Sequence, residues 1–404
     1  MERSKTEDDT RLAEPSPAST SAPSGTARAL VMDAPGKLSV RRFSIPEPKP
    51  GAALLRIACS GICGTDKHTF RGETSQYAGT PHARSIEFPL ICGHENVGTI
   101  AAIGGEELRD SEGRELRVGD RVVPAANVTC GECRYCRGDH PYYLCERLED
   151  YGNSLNAARP PHLFGGWAEY MYLLPGTRLY RVPDELPDEL AVLVEPLAVT
   201  HGLEAARAHH RVREGERAAI LGVGPLGICH LIRARAMGAG TIVAIDLLAS
   251  RLDLAADLGA SALLPAADLE PEALVAAVHE ACGGWGPDVV VDTSGRPESF
   301  VTALRMARPG GAVVEAGAFI DLGTVPVNPA GDICTKNVAV FGVGGEMASA
   351  YGPAIDILVA NLDRMPLDRI ISHRMPLEAG AEALILAESE EATKVIFDPA
   401  LGGA

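Results

Sequence analysis

The stretch "AILGVGPLGICHL", residues 219–231, decides the fold of the second half of the chain. A short apolar run ends at Gly222, and Gly222, Gly224 and Gly227 then form G-x-G-x-x-G, with Pro225 and Leu226 inside the motif and an apolar helical pattern after it. The glycine pattern alone is weak; directly between a strand and a helix it becomes a dinucleotide-binding fingerprint. Glycines there permit a tight turn and let a pyrophosphate approach the helix N-terminus. Asp246 ends the next apolar run, "TIVAID", nineteen residues beyond Gly227. A carboxylate at that point accepts hydrogen bonds from ribose hydroxyls and repels a 2′-phosphate, which favours NAD over NADP. Arg251, five residues further on, is placed either over the adenine or ribose or as a solvated residue at a helix start.

Outward from this motif, "RAAILGVG", "GTIVAID" and "PDVVVDTSG" are apolar runs suited to buried parallel strands, and longer helical patterns separate them. Strand alternating with helix implies an α/β doubly wound parallel sheet over residues 196–346. Residues 27–195 read differently, as short β-rich runs punctuated by Gly and Pro. Residues 347–404 are expected to return to that first domain, because the closing run "ATKVIFDPA" needs a sheet to join. Residues 1–26, rich in Ser, Thr and Pro, are expected to be a disordered leader.

The 404 residues carry 37 basic and 54 acidic side chains, a net charge of −17 that disfavours nucleic acid and anionic membrane surfaces as partners. No apolar run is long enough to span a bilayer and the N-terminus lacks a secretory pattern, so the expected location is the cytoplasm. In that compartment ten cysteines read as thiols and metal ligands.

Four of them fall in "TCGECRYCRGDHPYYLCE", residues 129–146. Cys130, Cys133, Cys136 and Cys145 have the spacing of a tetrahedral zinc site with no open position, which holds a loop and does no chemistry. A second set, "GICGTDKH" (61–68) and "CGHEN" (92–96), offers the thiol of Cys63, the imidazole of His94 and the carboxylate of Glu95. Three such donors suit zinc with a free fourth position, where an alcohol oxygen can be polarised.

Taken in order, "GICGTDKH", "GHENVG", "VGDRVV", the four-cysteine lobe, "GGWAEY", "VEPLAVTHG", "GVGPLG" and "VVVDTSG" resemble the zinc-dependent medium-chain alcohol and polyol dehydrogenases over residues 27–404. The resemblance implies a GroES-like catalytic domain split around a Rossmann domain. It implies a catalytic zinc on Cys63 and His94, with Glu95 as third or exchangeable ligand, and a structural zinc on the four cysteines. Thr65 would take the alcohol proton, His68 would pass it to solvent, and Asp66 would orient a ligand. Glu195 in "VEPL" matches the glutamate that sorbitol and threonine dehydrogenase relatives place beside the metal, which points to polyols and substituted secondary alcohols. A small-molecule alcohol or ketone as substrate and a homodimer or homotetramer are implied as well. His201 and His230 read as structural.

Two departures stand out. The last cysteine gap is eight residues rather than the usual seven, and thirty residues separate Cys63 from His94. The excess lies in "FRGETSQYAGTPHARSIEFP" (70–89), whose Arg71, His82 and Arg84 are candidates for contact with a polar substrate. Two rival readings remain: a reductase running from ketone or aldehyde to alcohol, and a non-enzymatic zinc and nucleotide scaffold.

Overall fold

The computed structural model describes residues 23–402 apart from 81, 106, 139–141, 213 and 214. The expected leader therefore lies almost wholly outside the described residues. The first strand, Thr26–Ala34, starts where the Ser- and Pro-rich stretch ends.

Residues 217–342 form a six-stranded parallel sheet in the order Ala262–Pro265, Thr241–Asp246, Arg217–Leu221, Val289–Asp292, Ala312–Glu315, Ala339–Gly342. This is the 3-2-1-4-5-6 order of the dinucleotide-binding fold, with its topological switch beside the strand that runs into Gly222. Ala218 to Ile220 and Val289 to Val291 are almost wholly buried, as strands covered on both faces must be. The glycine motif has a steric reason: a Cβ on Gly227 would sit 1.9 Å from the Gly222 carbonyl oxygen, so the turn closes only around a bare Cα.

The other domain is built on a sheet whose central strand is Ala53–Gly61. It pairs with Asn96–Ile103, with Tyr170–Leu173 and, at its far end, with Lys394–Phe397. Ile396 lies opposite Gly61 and Phe397 opposite Ser60. Trp167, fully buried, packs its ring 5.0 Å from that of Phe397 and donates to the Gly61 carbonyl at 3.3 Å. One apolar cluster runs from Cys59, Val97 and Val123 through Leu190, Val194 and Leu197 to Ile220 and Val289, so the two units share a seam.

Candidate active site

Sheet register explains how Cys63 meets His94 and Glu95 across thirty intervening residues. Ala53–Gly61 and Asn96–Ile103 are antiparallel neighbours, with Ser60 opposite Asn96. The exit of one and the entry of the other therefore lie side by side, and Gly61 N donates to Glu95 O at 2.8 Å. Beyond the first strand the chain turns into the helix Gly64–Arg71, with Cys63 at its N-cap. Asp66 Oδ2 accepts from Cys63 N at 2.8 Å, so Asp66 fixes the cap that carries the thiol.

Donor atoms of Cys63, His94 and Glu95 all lie within 4.8 Å of one another. His94 and Glu95 are buried, and His94 Nδ1 and Asp66 Oδ1 have no hydrogen-bond partner. Burial alone would lower the pKa of His94, but the Cys63 sulfur and the Asp66 and Glu195 carboxylates outweigh it and hold the imidazole well above its usual value. A buried pocket that gathers a sulfur, an imidazole and carboxylates suits a dication, and a thiolate, an imidazole and a carboxylate are zinc ligands.

Glu195 lies in the helix Val194–Ala198, is 5% exposed and faces the same cleft, but its carboxylate is not among the three donors that converge. As a ligand it is therefore separated from the set, although it stays within electrostatic reach of His94. Burial pushes its pKa well above the usual carboxylate range. Glu95 has a partner that lies three hundred residues away: its Oε2 pairs with the ammonium of Lys394, which is 1% exposed and also donates to the Ile62 carbonyl at 3.0 Å. Nothing in the motif pattern pointed to Lys394; a lysine inside a closing apolar strand was the only available sign.

Thr65 Oγ1 is 3.9 Å from Cys63 Sγ, and His68 follows three residues later on the same helix. His68 Nδ1 is 2.5 Å from Glu73 Oε2 and 3.0 Å from Arg71 Nη2. Both Thr65 and His68 line a cavity of about 770 Å³ between the domains, as do Gly222, Gly224, Pro225, Leu226 and Gly227.

On the nucleotide side, Asp246 Oδ2 accepts from Val223 N at 2.8 Å and Oδ1 from Leu248 N at 3.0 Å. Arg251 Nη1 stands 3.8 Å from Asp246 Oδ2. A Cβ on Gly224 would meet nothing nearer than Arg251 at 3.8 Å, which leaves room above the loop for a phosphate.

In the lobe, the sulfurs of Cys130, Cys133, Cys136 and Cys145 converge within 4.8 Å, despite the eight-residue last gap. Cys145 Sγ accepts from Cys130 N at 3.3 Å and Arg147 N at 3.4 Å, as a thiolate does in a metal-binding loop. The lobe seats where the nucleotide domain passes into the returning segment, through Tyr142 and Tyr143, which pack with Ala348. Tyr142 also donates to the buried Glu346 at 2.5 Å.

The long segment folds as a two-stranded hairpin, Ser75–Gln76 with Arg84–Ser85. Two of its candidate substrate contacts are turned to other work. Arg84 pairs with Asp150 and lies over the Tyr77 ring, and His82 sits against the edge of Tyr77. Arg71 lines the cleft but is engaged by Glu73 and Glu388. His201 and His230 accept the structural reading, His201 near the Gly345 carbonyl at 3.2 Å and His230 near the Leu226 carbonyl at 3.0 Å.

Residues 49–184 match the alcohol dehydrogenase GroES-like domain, and residues 225–360 match the zinc-binding dehydrogenase family. A Mycobacterium tuberculosis protein named "Probable alcohol dehydrogenase adh" is 36% identical over 369 residues, 90% of this chain and 95% of the relative. Sorbitol dehydrogenase of Bombyx mori is 31% identical, across 91% of this chain and 97% of its own. The crystal structure of an alcohol dehydrogenase from Thermotoga maritima superposes with a TM-score of 0.83 at 29% identity, covering 92% of this chain and 99% of that one. Two domain families matched in sequence order, on a fold with a dinucleotide sheet and a β-rich partner, make this chain a member of the zinc-dependent alcohol dehydrogenase family, an oxidoreductase that uses zinc and a nicotinamide cofactor.

Proposed function

We propose that the protein is an NAD-dependent zinc dehydrogenase that interconverts a secondary alcohol and a ketone, with a polyol, cyclitol or other substituted alcohol as substrate. The observation that carries this is the convergence of Cys63, His94 and Glu95 on the cavity that the glycine motif also lines. Cys63, His94 and Glu95 would hold the catalytic zinc, with Glu195 beside them, and the four lobe cysteines a structural one. Zinc held there supplies Lewis acidity that lowers the pKa of an alcohol, and the nicotinamide accepts a hydride. The chain's own part is to orient and to move a proton. Thr65 Oγ1, next to the thiol, takes the hydroxyl proton, and His68 carries it along the same helix face toward Glu73 and solvent. The intact donor set argues against a scaffold role, which gives no chemical reason to keep it. Domain bounds of 27–195, 196–346 and 347–404, a cytoplasmic location and a homodimer or homotetramer belong to the same reading; no described helix is long and apolar enough to cross a membrane.

The direct test is NADH formation from NAD and a panel of polyols, cyclitols, amino alcohols and simple secondary alcohols, with and without a chelator. Chelator-sensitive turnover supports the reading, and silence from zinc-loaded, NAD-binding protein overturns it. Asp246→Asn keeps an acceptor for Val223 N but removes the charge. It is expected to narrow the preference for NAD over NADP in kcat/KM by about tenfold, the effect of relieving one like-charge contact at a protein surface. Cys133→Ser is expected to lower the melting temperature by about 5 °C or more while the folded fraction keeps its turnover, because structural zinc contributes folding energy directly. A Cys133→Ser protein that melts normally and loses only catalysis would reverse the two metal assignments.

A further inference from the structure

Near the glycine turn the cleft gathers two cations, one from each domain. Arg251 stands over Gly224, where an added Cβ would meet its Nη1 at 3.8 Å. Its Nε is buried without a hydrogen-bond partner, and the carboxylate it faces, Asp246, is 3.8 Å from Nη1. Lys67 belongs to the helix Gly64–Arg71, is half-buried and lines the same cavity. Among the described residues its ammonium donates once, to the Ala387 carbonyl at 3.3 Å. An ammonium carries three N–H donors, so two remain for other partners. Burial lowers the Lys67 pKa and the charges of Arg251 and Lys394 lower it further, while Cys63 and Glu388 act the other way.

The acids that could neutralise this pair are engaged elsewhere. Glu388 pairs with Arg71, and Asp246 accepts from Val223 N and Leu248 N. Gly64, three residues before Lys67 and on the same helix face, also lines the cavity, and a Cβ there would meet nothing within 4 Å. The face that carries Lys67 therefore has open space beside it. Two like charges within electrostatic reach of each other, one with a buried donor unfilled, call for an anion. The cofactor brings one to this part of the cleft. A dinucleotide whose adenosine ribose lies at Asp246 and whose nicotinamide lies by the metal pocket must carry its diphosphate past Gly224. The N-terminus of the helix Pro225–Ala236 supplies only one wall for that diphosphate.

We infer that Lys67 and Arg251 are ligands of the cofactor's diphosphate, each domain contributing one cation to the same dianion. This rests on the dehydrogenase reading above and deepens it by adding a cofactor contact from the catalytic domain, outside the glycine motif. Lys67 shares its helix with Thr65 and His68, and Cys63 caps that helix. Cofactor held on Lys67 is thereby tied to the element that positions a metal ligand and the proton route.

The test reads binding rather than turnover, with NADH followed by its fluorescence and with ADP-ribose and adenosine measured by competition against it on zinc-loaded protein. Lys67→Gln and Lys67→Met both remove the charge, the first keeping a donor for the Ala387 carbonyl, and Lys67→Arg keeps the charge. Either neutral variant is expected to weaken NADH and ADP-ribose about tenfold, the worth of one hydrogen bond to a charged group, and to leave adenosine, which has no phosphate, unchanged. Lys67→Arg is expected to stay close to wild type, and Arg251→Met to split ADP-ribose from adenosine in the same way. A melting curve on each variant separates recognition from folding. A folded neutral variant that binds NADH as wild type does, or that loses adenosine and ADP-ribose alike, overturns the Lys67 contact. An Arg251→Met protein that loses neither, or both equally, overturns the shared dianion site. Zinc-loaded wild type that binds no NADH overturns the dehydrogenase reading itself, and the Lys67 contact with it.

Discussion

Replacing Cys63 with serine is expected to lower kcat on the order of 10³-fold or more and to release one zinc per chain while leaving the second bound. Cys63 is one of three donors that converge at the open site among the described residues. Its sulfur is the largest influence raising the His94 pKa against burial, so it belongs to the electrostatics that favour a dication there. A serine hydroxyl is a much poorer ligand for zinc than a cysteine sulfur, so the remaining imidazole and carboxylate would hold the metal weakly. Metal analysis after dialysis and single-turnover NADH formation read the two effects separately. Turnover near the wild-type level would remove Cys63 from the catalytic assignment. Loss of both metals would instead mean that the change had disrupted the fold.

The second large effect falls on a residue outside every motif. Lys394→Met is expected to destabilise the metal-free protein by about 3–5 kcal/mol, because it leaves the Glu95 carboxylate buried without its cation. Burial opposes the charge on Lys394, but Glu95 and Cys63 raise its pKa on balance, so the ammonium is the charge that compensates the buried Glu95 carboxylate. Two comparisons locate the cause. The double variant Lys394→Met with Glu95→Gln should recover most of the loss, since no unpaired charge then remains. Zinc loading should also shrink the penalty if Glu95 can turn to the metal. Denaturant midpoints with and without zinc provide both readings. A single variant as stable as wild type, or a double variant no better than the single, would show that the pair does not carry this energy.

The nucleotide-binding sheet was legible because its signals are local. Each buried parallel strand is a contiguous apolar run, and the glycine motif sits at a strand-to-helix junction where a Cβ on Gly227 cannot fit. The four-cysteine lobe was legible for the same reason, with its ligands inside sixteen residues. Cys63, His94 and Glu95 could be nominated by residue type and by family resemblance, but their convergence depends on the register of two antiparallel strands, which the sequence does not state. Partners across long separations were not legible at all. Lys394 reaches Glu95 only because Lys394–Phe397 returns beside Ala53–Gly61, and Glu346 meets Asn127 at 2.8 Å only once the chain has crossed the nucleotide domain. Arg84 could be read from the sequence only as a candidate substrate contact or a solubilising loop residue, because the buried acid that captures it, Asp150, lies far along the chain.

The placement of Lys394–Phe397 against Ala53–Gly61 also sets a timetable. Every strand of the parallel sheet has its partners between residues 217 and 342, so that sheet can form on the ribosome as soon as those residues emerge. The metal-binding pocket cannot. Ile62 N waits for Val395 O, and Lys394 joins the Ile62 carbonyl from 332 positions downstream. Until then a nascent chain carries Cys63, His94 and Glu95 without the strand that frames them. A message cut short between codons 342 and 394 would yield a polypeptide that holds every strand of its nucleotide sheet and lacks the strand that frames the other centre.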